Sequence, residues 1–367
     1  MLRRSSLWGA LPLALVVLAG WVWYQVSDTG QRWRYEGHLE SYCDGVLPSS
    51  QAAALTGLRP DRLYNDLRSG GRKAYRWHCT LDDVRLTLSR LPDADDDVIG
   101  PLAVQFYFPQ EGGWALPVSS PLGGGWTGYT DVTNTVASLA CDNGGFVVVT
   151  AQGGGFDDDT QVVDRDRVQA VADLVTAAAA RSADRWGCAT TPPDGPPRVR
   201  PADGPPAPAA DVRQGTCAGL PVESHPGITW AWGAHTDPRT LYERCVLSTS
   251  NELPRDQTDA ERHIWALEAR YGAQALAEAV ERRDSSDETN EYRDRFRATA
   301  QCPGSTVLAR FSVWSSQRRA KDNTAAVALL KAFVLRAAER HGCTDVRLPP
   351  PGTANDPPPW EKDVSEG

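Results

Sequence analysis

Arg181-Ser-Ala-Asp-Arg-Trp-Gly-Cys188 returns late in the chain as Arg336-Ala-Ala-Glu-Arg-His-Gly-Cys343. Five of the eight positions are identical, and Asp184 is exchanged for another acid, Glu339. Upstream, Ala170, Leu174 and Ala177 match Ala325, Leu329 and Ala332, spacing that keeps one face of a helix apolar. Gly187 and Gly342 supply helix stops. The chain therefore carries a duplicated helix that ends in a cysteine, one copy closing each half. The correspondence runs backwards from there. Cys43-Asp-Gly-Val-Leu matches Cys217-Ala-Gly-Leu-Pro, Cys79 matches Cys245, and Cys141 matches Cys302.

A length of 367 residues suits two domains of about 150 residues each. The expected class is α+β: an N-terminal transmembrane helix, then two tandem, diverged α+β domains. Each is an antiparallel sheet packed by a C-terminal helix and stapled by disulfides. The first repeat takes 28–189. Its strand candidates are Tyr75–Thr80, Val84–Leu88, Leu102–Phe108, Val136–Cys141 and Gly145–Gln152, and Ser49 or Ser50 can cap a short helix that Gly57 ends. Residues 190–213 hold eight prolines and read as an extended linker. The second repeat takes 214–348. Its middle, Asp259 to Arg282, is rich in helix formers, so a helix is expected where the first repeat has strands. The proline-rich tail, 349–367, has a composition that forms no core.

From Leu7 to Val26 there is no charged side chain, and the run ends in Trp21-Val-Trp-Tyr24. Twenty helical residues span roughly 30 Å, the thickness of a bilayer core. A cleaved signal peptide is the competing reading. The run exceeds an ordinary signal core, no small-x-small site follows, and the Trp/Tyr group suits an interfacial belt, so residues 1–27 read as an uncleaved single-pass anchor. Eight cysteines in two matched sets of four belong in an oxidising compartment, which places the C-terminal bulk outside the cytoplasm.

Four cysteines per repeat allow three connectivities, and their order alone does not choose among them. Element lengths weight the choice. A helix of about twenty residues and a strand of eight to ten are both roughly 30 Å long, so an antiparallel pair brings the helix end back to the strand. The expected pairs are Cys141 with Cys188 and Cys302 with Cys343, leaving Cys43 with Cys79 and Cys217 with Cys245. Zinc is the rival use, but no C-x₂-C spacing occurs.

Catalytic signals are sparse. None of His38, His78, His225, His235, His263 and His341 stands in a metal-ligand spacing, and no G-x-S-x-G elbow is present. Gly123–Gly125 and Gly153–Gly155 lack the Lys-Ser/Thr of a phosphate loop. The acidic runs Asp93–Asp97 and Asp157–Asp159 lack the glycine and glutamate of an EF-hand and read as solvated turns. Trp114, Trp126, Tyr129, Trp230, Trp232 and Trp314 could stack on sugars, but packing is the commoner role of such rings. A net charge of −9 with no long basic run argues against nucleic acid. No metal or cofactor is expected.

The series Cys43, Gly45, Cys79, Cys141, Gly187 and Cys188, with its second copy, resembles membrane-anchored or secreted cell-envelope proteins of actinobacteria with duplicated four-cysteine domains. The resemblance implies an envelope location and disulfide-bonded α+β domains, and it implies no active site. The expected role is non-enzymatic binding of an envelope protein or wall ligand at the cell membrane. The alternative is a cell-wall-directed hydrolase, for which Asp131 and Asp142 are the candidate carboxylates and would need to lie about 5–10 Å apart.

Overall fold

The computed structural model describes residues 5–69, 76–91, 118–153, 163–225, 227–251, 264–277, 296–315 and 323–349. Two seven-stranded antiparallel sheets make it α+β. The first has the order β1-β2-β3-β7-β6-β5-β4. Its strands are β1 (Leu63–Ser69), β2 (Arg76–Leu81), β3 (Val84–Leu91), β4 (Ser120–Pro121), β5 (Gly128–Thr130), β6 (Asn134–Ala140) and β7 (Phe146–Gln152). The second has the order β14-β12-β13-β11-β10-β9-β8. It comprises β8 (Ala207–Pro208), β9 (Trp230–Gly233), β10 (Tyr242–Ser248), β11 (Ile264–Arg270), β12 (Phe296–Gln301), β13 (Ala309–Ser315) and β14 (Thr344–Arg347). Both contain one five-strand pattern, β1-β2-β3-β7-β6 in the first and β9-β10-β11-β13-β12 in the second. The duplication is thus one of topology as well as of sequence.

The helix expected over 259–282 is a correction. Ile264–Arg270 is strand β11, followed by a helical turn at 272–277, while 259–263 and 278–282 lie outside the described residues. The cause is tertiary. Leu267 and Ala269 alternate onto the helix-covered face between β10 and β13, and pairing on both sides outweighs a helix preference of at most a few tenths of a kcal/mol per residue. Leu102–Phe108 also lies outside the described residues. A smaller correction concerns the short helix α3 (Ser49–Thr56): its N-cap is Pro48, with no side-chain cap, and Ser49 is already helical.

Each sheet is covered on one face by its long helix. In the first repeat α4 (Arg165–Arg185) sets Val171, Leu174, Val175 and Ala178 against Leu86, Leu88, Val147 and Val149. In the second, α5 (Asn323–His341) sets Leu329, Leu330, Phe333 and Val334 against Leu267, Phe311 and Val313. Both helices end alike. Gly187 and Gly342 take φ of 65° and 64°, and the amides of Cys188 and Cys343 each donate to a carbonyl five residues back, at 2.8 Å. That turn delivers each cysteine to its partner. The four disulfides are Cys43–Cys79, Cys141–Cys188, Cys217–Cys245 and Cys302–Cys343.

At the N-terminus α1 (Ser5–Val26) breaks at Ser27, whose hydroxyl accepts from the Gly30 amide at 3.0 Å, and α2 (Asp28–Leu39) follows. Tyr35 and Leu39 of α2 are buried in the first core, and the Tyr35 hydroxyl accepts from Thr56 at 2.6 Å. Residues 14–23 of α1 are exposed, Leu15, Val16, Val17, Leu18, Trp21 and Trp23 among them. Among the described residues no helix is long and apolar enough to cross a membrane.

The faces away from the helices bring the repeats together. Val118 and β4 follow β3 in the first repeat, and Val118 packs on Trp232, Val246 and Ala266 of the second sheet. In return Ala273, Ala275, Leu276 and Ala277, which follow β11, pack with Leu91, Val136 and Val148 of the first sheet. The exchange is reciprocal. Tyr129 and Tyr242 meet with ring centroids 5.3 Å apart, and the carbonyl of Gly125 accepts from Arg239 at 2.7 Å. The proline-rich stretch is bound down as well. Trp126 donates to the Gly195 carbonyl at 2.7 Å, the Arg198 amide donates to Leu122 at 2.8 Å, and Arg165 forms a two-bond pair with Asp203.

Candidate functional site

Strand alternation sends every second residue of the second sheet away from α5. Towards one end of that face these are Tyr242 and Arg244 on β10, Glu268 and Arg270 on β11, Arg310 and Ser312 on β13, and Arg297 and Thr299 on β12, while Val246 and Ala266 of the same face pack with Val118. Registers align them in two rows across the sheet. One runs Arg244, Glu268, Ser312, Arg297; the other runs Tyr242, Arg270, Arg310, Thr299. Residues directly opposite across an antiparallel pair have Cβ atoms about 5 Å apart, so these eight polar side chains form one patch. Among the described residues of these two rows, four guanidinium groups stand with one carboxylate.

Glu268 organises one end. It accepts from the Tyr242 hydroxyl at 3.0 Å and from Arg270 at 2.8 Å, and it lies 3.6 Å from Arg244. Arg270 also sits over the Tyr242 ring, 5.4 Å from its centroid. Burial pushes the Tyr242 phenol far up, and the Glu268 charge adds to that shift. At the other end Ser312 and Thr299 are buried, and neither hydroxyl has a hydrogen-bond partner. Burying a hydroxyl unpaired costs on the order of 1–3 kcal/mol, so the fold bears a cost here that packing alone does not require.

Tyr129 and Asp131 of the first repeat approach the same end. Asp131 accepts from the Asn134 amide at 2.6 Å and from its side chain at 3.2 and 3.1 Å. Burial pushes its carboxyl up to about 6, against the opposing pull of the Asn134 hydrogen bonds and the Arg244 charge. Asp142 is elsewhere. It is exposed just beyond the far end of β6, and the seven-residue strand between the two spans roughly 23 Å. The two candidate carboxylates are therefore not brought to a working separation for glycoside hydrolysis.

The other candidates fall into structural places. His341 is stacked on Tyr271 at 3.7 Å, and its Nε2 lies 3.1 Å from Glu243, which also pairs with Arg340. Its counterpart Trp186 donates to Asp44 at 2.8 Å. Either ring ties the end of its long helix to the fold. His78 bonds Thr87 at 3.0 Å, and burial, with Arg76 and Arg85 nearby, lowers its pKa. His235 is lowered by partial desolvation and by Arg200. His38 is the last-turn base of α2, and His225 follows a short turn at Val222–Ser224. Trp126, Tyr129 and Trp232 are buried and Trp230 is half-buried. Gly123–Gly125 is the surface over which the proline stretch crosses: a Cβ on Gly124 would lie 2.3 Å from the Pro196 carbonyl. His263, Trp114, the side chain of Trp314, both acidic runs and Gly154–Gly155 lie outside the described residues.

Among the described residues, no group of three or more His, Cys, Asp or Glu could hold a metal ion. The two charged rows escape a reading of the sequence because each strand taken singly looks half-solvated. Their only trace is the alternation in Phe296-Arg-Ala-Thr-Ala-Gln and Ala309-Arg-Phe-Ser-Val-Trp. Set against protein-family models, curated proteins and solved structures, the chain matches none.

Proposed function

We propose that this chain is a single-pass membrane-anchored protein of the cell envelope whose two repeats, outside the cytoplasm, form one non-enzymatic binding body. The patch on the inner face of the second sheet is its binding surface. One observation carries the binding reading: eight polar residues, four of them arginine, are gathered on a largely buried sheet face, where apolar side chains would stabilise the fold more. Supporting the location are four disulfides formed within the repeats and the charge-free run Leu7–Val26 in α1, whose described part exposes its apolar side chains. The resemblance to actinobacterial envelope proteins points the same way. α1 passes into α2 through Ser27 alone, so the anchor joins the first core without a flexible tether.

Topology and binding are tested in the same cells. On intact spheroplasts expressing the full chain, added protease removes everything beyond the anchor, and a thiol reagent labels the eight cysteines only after reduction. Thiols that react without reductant, or a chain protected from protease, would refute the location. Binding predicts that the purified full chain in nanodiscs retains a component of the envelope or wall, and that Arg310→Gln loses it. Equal retention by that variant would remove the patch from the reading.

A further inference from the structure

We infer that the start of α2 is a lipid-contact surface, which lies in the headgroup zone of the bilayer and holds the first repeat against the membrane. This rests on the anchor reading above and deepens it. The chain does not run straight on from α1. In one continuous helix the ten residues from Trp23 to Trp33 would separate them by roughly 15 Å along the axis. Their ring centroids are instead 6.0 Å apart, edge to face. The turn is made at Ser27, whose ψ of 148° leaves the helical region and whose hydroxyl takes the Gly30 amide. Gly30 permits the close passage, because a Cβ there would lie 2.0 Å from the Tyr24 carbonyl. α2 therefore turns beside the last turn of α1, and Trp33 stands at the level of Trp23 instead of further out.

The side chains of α2 divide accordingly. Tyr35 and Leu39 are buried in the first core, whereas Gln31, Arg32 and Trp33 are exposed, Trp33 by 55%. Trp21 and Trp23 are exposed as well. Indoles gathered where a charge-free run ends are the composition of a membrane interface, where the ring sits at headgroup depth. Arg32, next to Trp33, supplies a cation suited to lipid phosphate. The occupant is lipid because this surface continues without a break into residues 14–23 of α1, all of them exposed. Tyr35 follows so soon after Trp33 that the first repeat rests on the bilayer.

The eight native cysteines are paired, so one introduced thiol carries a label alone. The full chain is placed in nanodiscs with a polarity-sensitive dye at Leu18→Cys or Gln31→Cys, both exposed positions, and quenched by lipids spin-labelled in the headgroup or in the middle of the acyl chain. The expected result is quenching of the Leu18 site by the acyl label and of the Gln31 site by the headgroup label. Trp33→Glu, at an exposed position that the fold does not need, should lower the Gln31 quenching about threefold and leave the Leu18 site unchanged. Quenching at Leu18 with none at Gln31 would overturn the contact of α2 while the anchor stands. A Gln31 dye that is shifted to the blue but unquenched would show a second protein surface in place of lipid, and would also overturn it. Quenching at Gln31 that Trp33→Glu leaves intact would remove the indole from the contact and overturn the inference as argued. No quenching at either site would overturn the anchor and the inference together.

Discussion

Single side chains set how this protein responds to pH. The Asp131 carboxyl is raised from 3.8 to about 6 by burial, so its native pKa lies above its unfolded one. A group of that kind contributes stability that is fully present below about 4 and is lost as pH rises through 6. Two units correspond to roughly 3 kcal/mol, an order of magnitude for one buried group. Asp131→Asn is expected to flatten the fall in urea midpoint between pH 4.5 and 7; an unchanged slope would show that Asp131 is not responsible. Glu243 works in the opposite direction. Burial alone would raise it, but His341 and Arg340 overcome that and hold it below the usual carboxylate value. Its contribution is present above its unfolded value of 4.5 and is lost as pH falls below it. Glu243→Gln is expected to cost about 3 kcal/mol at pH 7 because it breaks a buried ion pair, and to remove that acid loss. Neither residue was legible in the sequence for this role. Asp131 was one acid among forty-seven, and Glu243 meets His341 only once α5 lies on β10.

Among the elements, the duplicated helix was read directly because an apolar stripe, a glycine and a cysteine recur at the same offsets in both copies. Strand β11 was misread because Ile264-Trp-Ala-Leu-Glu-Ala-Arg carries good helix formers, and its alternation counts only when β10 and β13 are in place beside it. Glycine loops divide by what surrounds them. Gly187 has φ of 65° but open space around a notional Cβ, so Gly187→Ala should cost about 1 kcal/mol. Gly124 has φ of 62° and its Cβ would strike the Pro196 carbonyl, so Gly124→Ala should cost at least twice as much, read as a shift in urea midpoint. Equal losses at the two sites would mean that the proline stretch does not press on the loop. The sequence shows 190–213 as a linker without its contact on the triple glycine, because a proline-rich segment looks the same tethered or free.

At the scale of the whole molecule, disulfides hold each repeat and exchanged packing holds the repeats to each other. Loops of 28 to 47 residues place each bond at about 4 kcal/mol in the chain-entropy model. Replacing Cys302 and Cys343 together by serine should lower stability by about that amount and leave the first repeat's disulfides intact by mass. Packing across the repeats predicts one calorimetric transition, with van't Hoff and measured enthalpies equal, and two separate transitions would refute it. The pairing of cysteines and the doubled α+β plan could be reasoned from element lengths. The joint face could not, since nothing in a strand's own alternation says whether water or another sheet lies opposite. That exchange also has a consequence in time. A chain is made from its N-terminus, so Leu91, Val136 and Val148 are already synthesised long before Ala273–Ala277 arrive to cover them. For that interval the first repeat is finished on its helix side and bare on the other, a half-dressed state in which a chaperone, or a neighbouring nascent copy, can take the place that the second repeat will later fill.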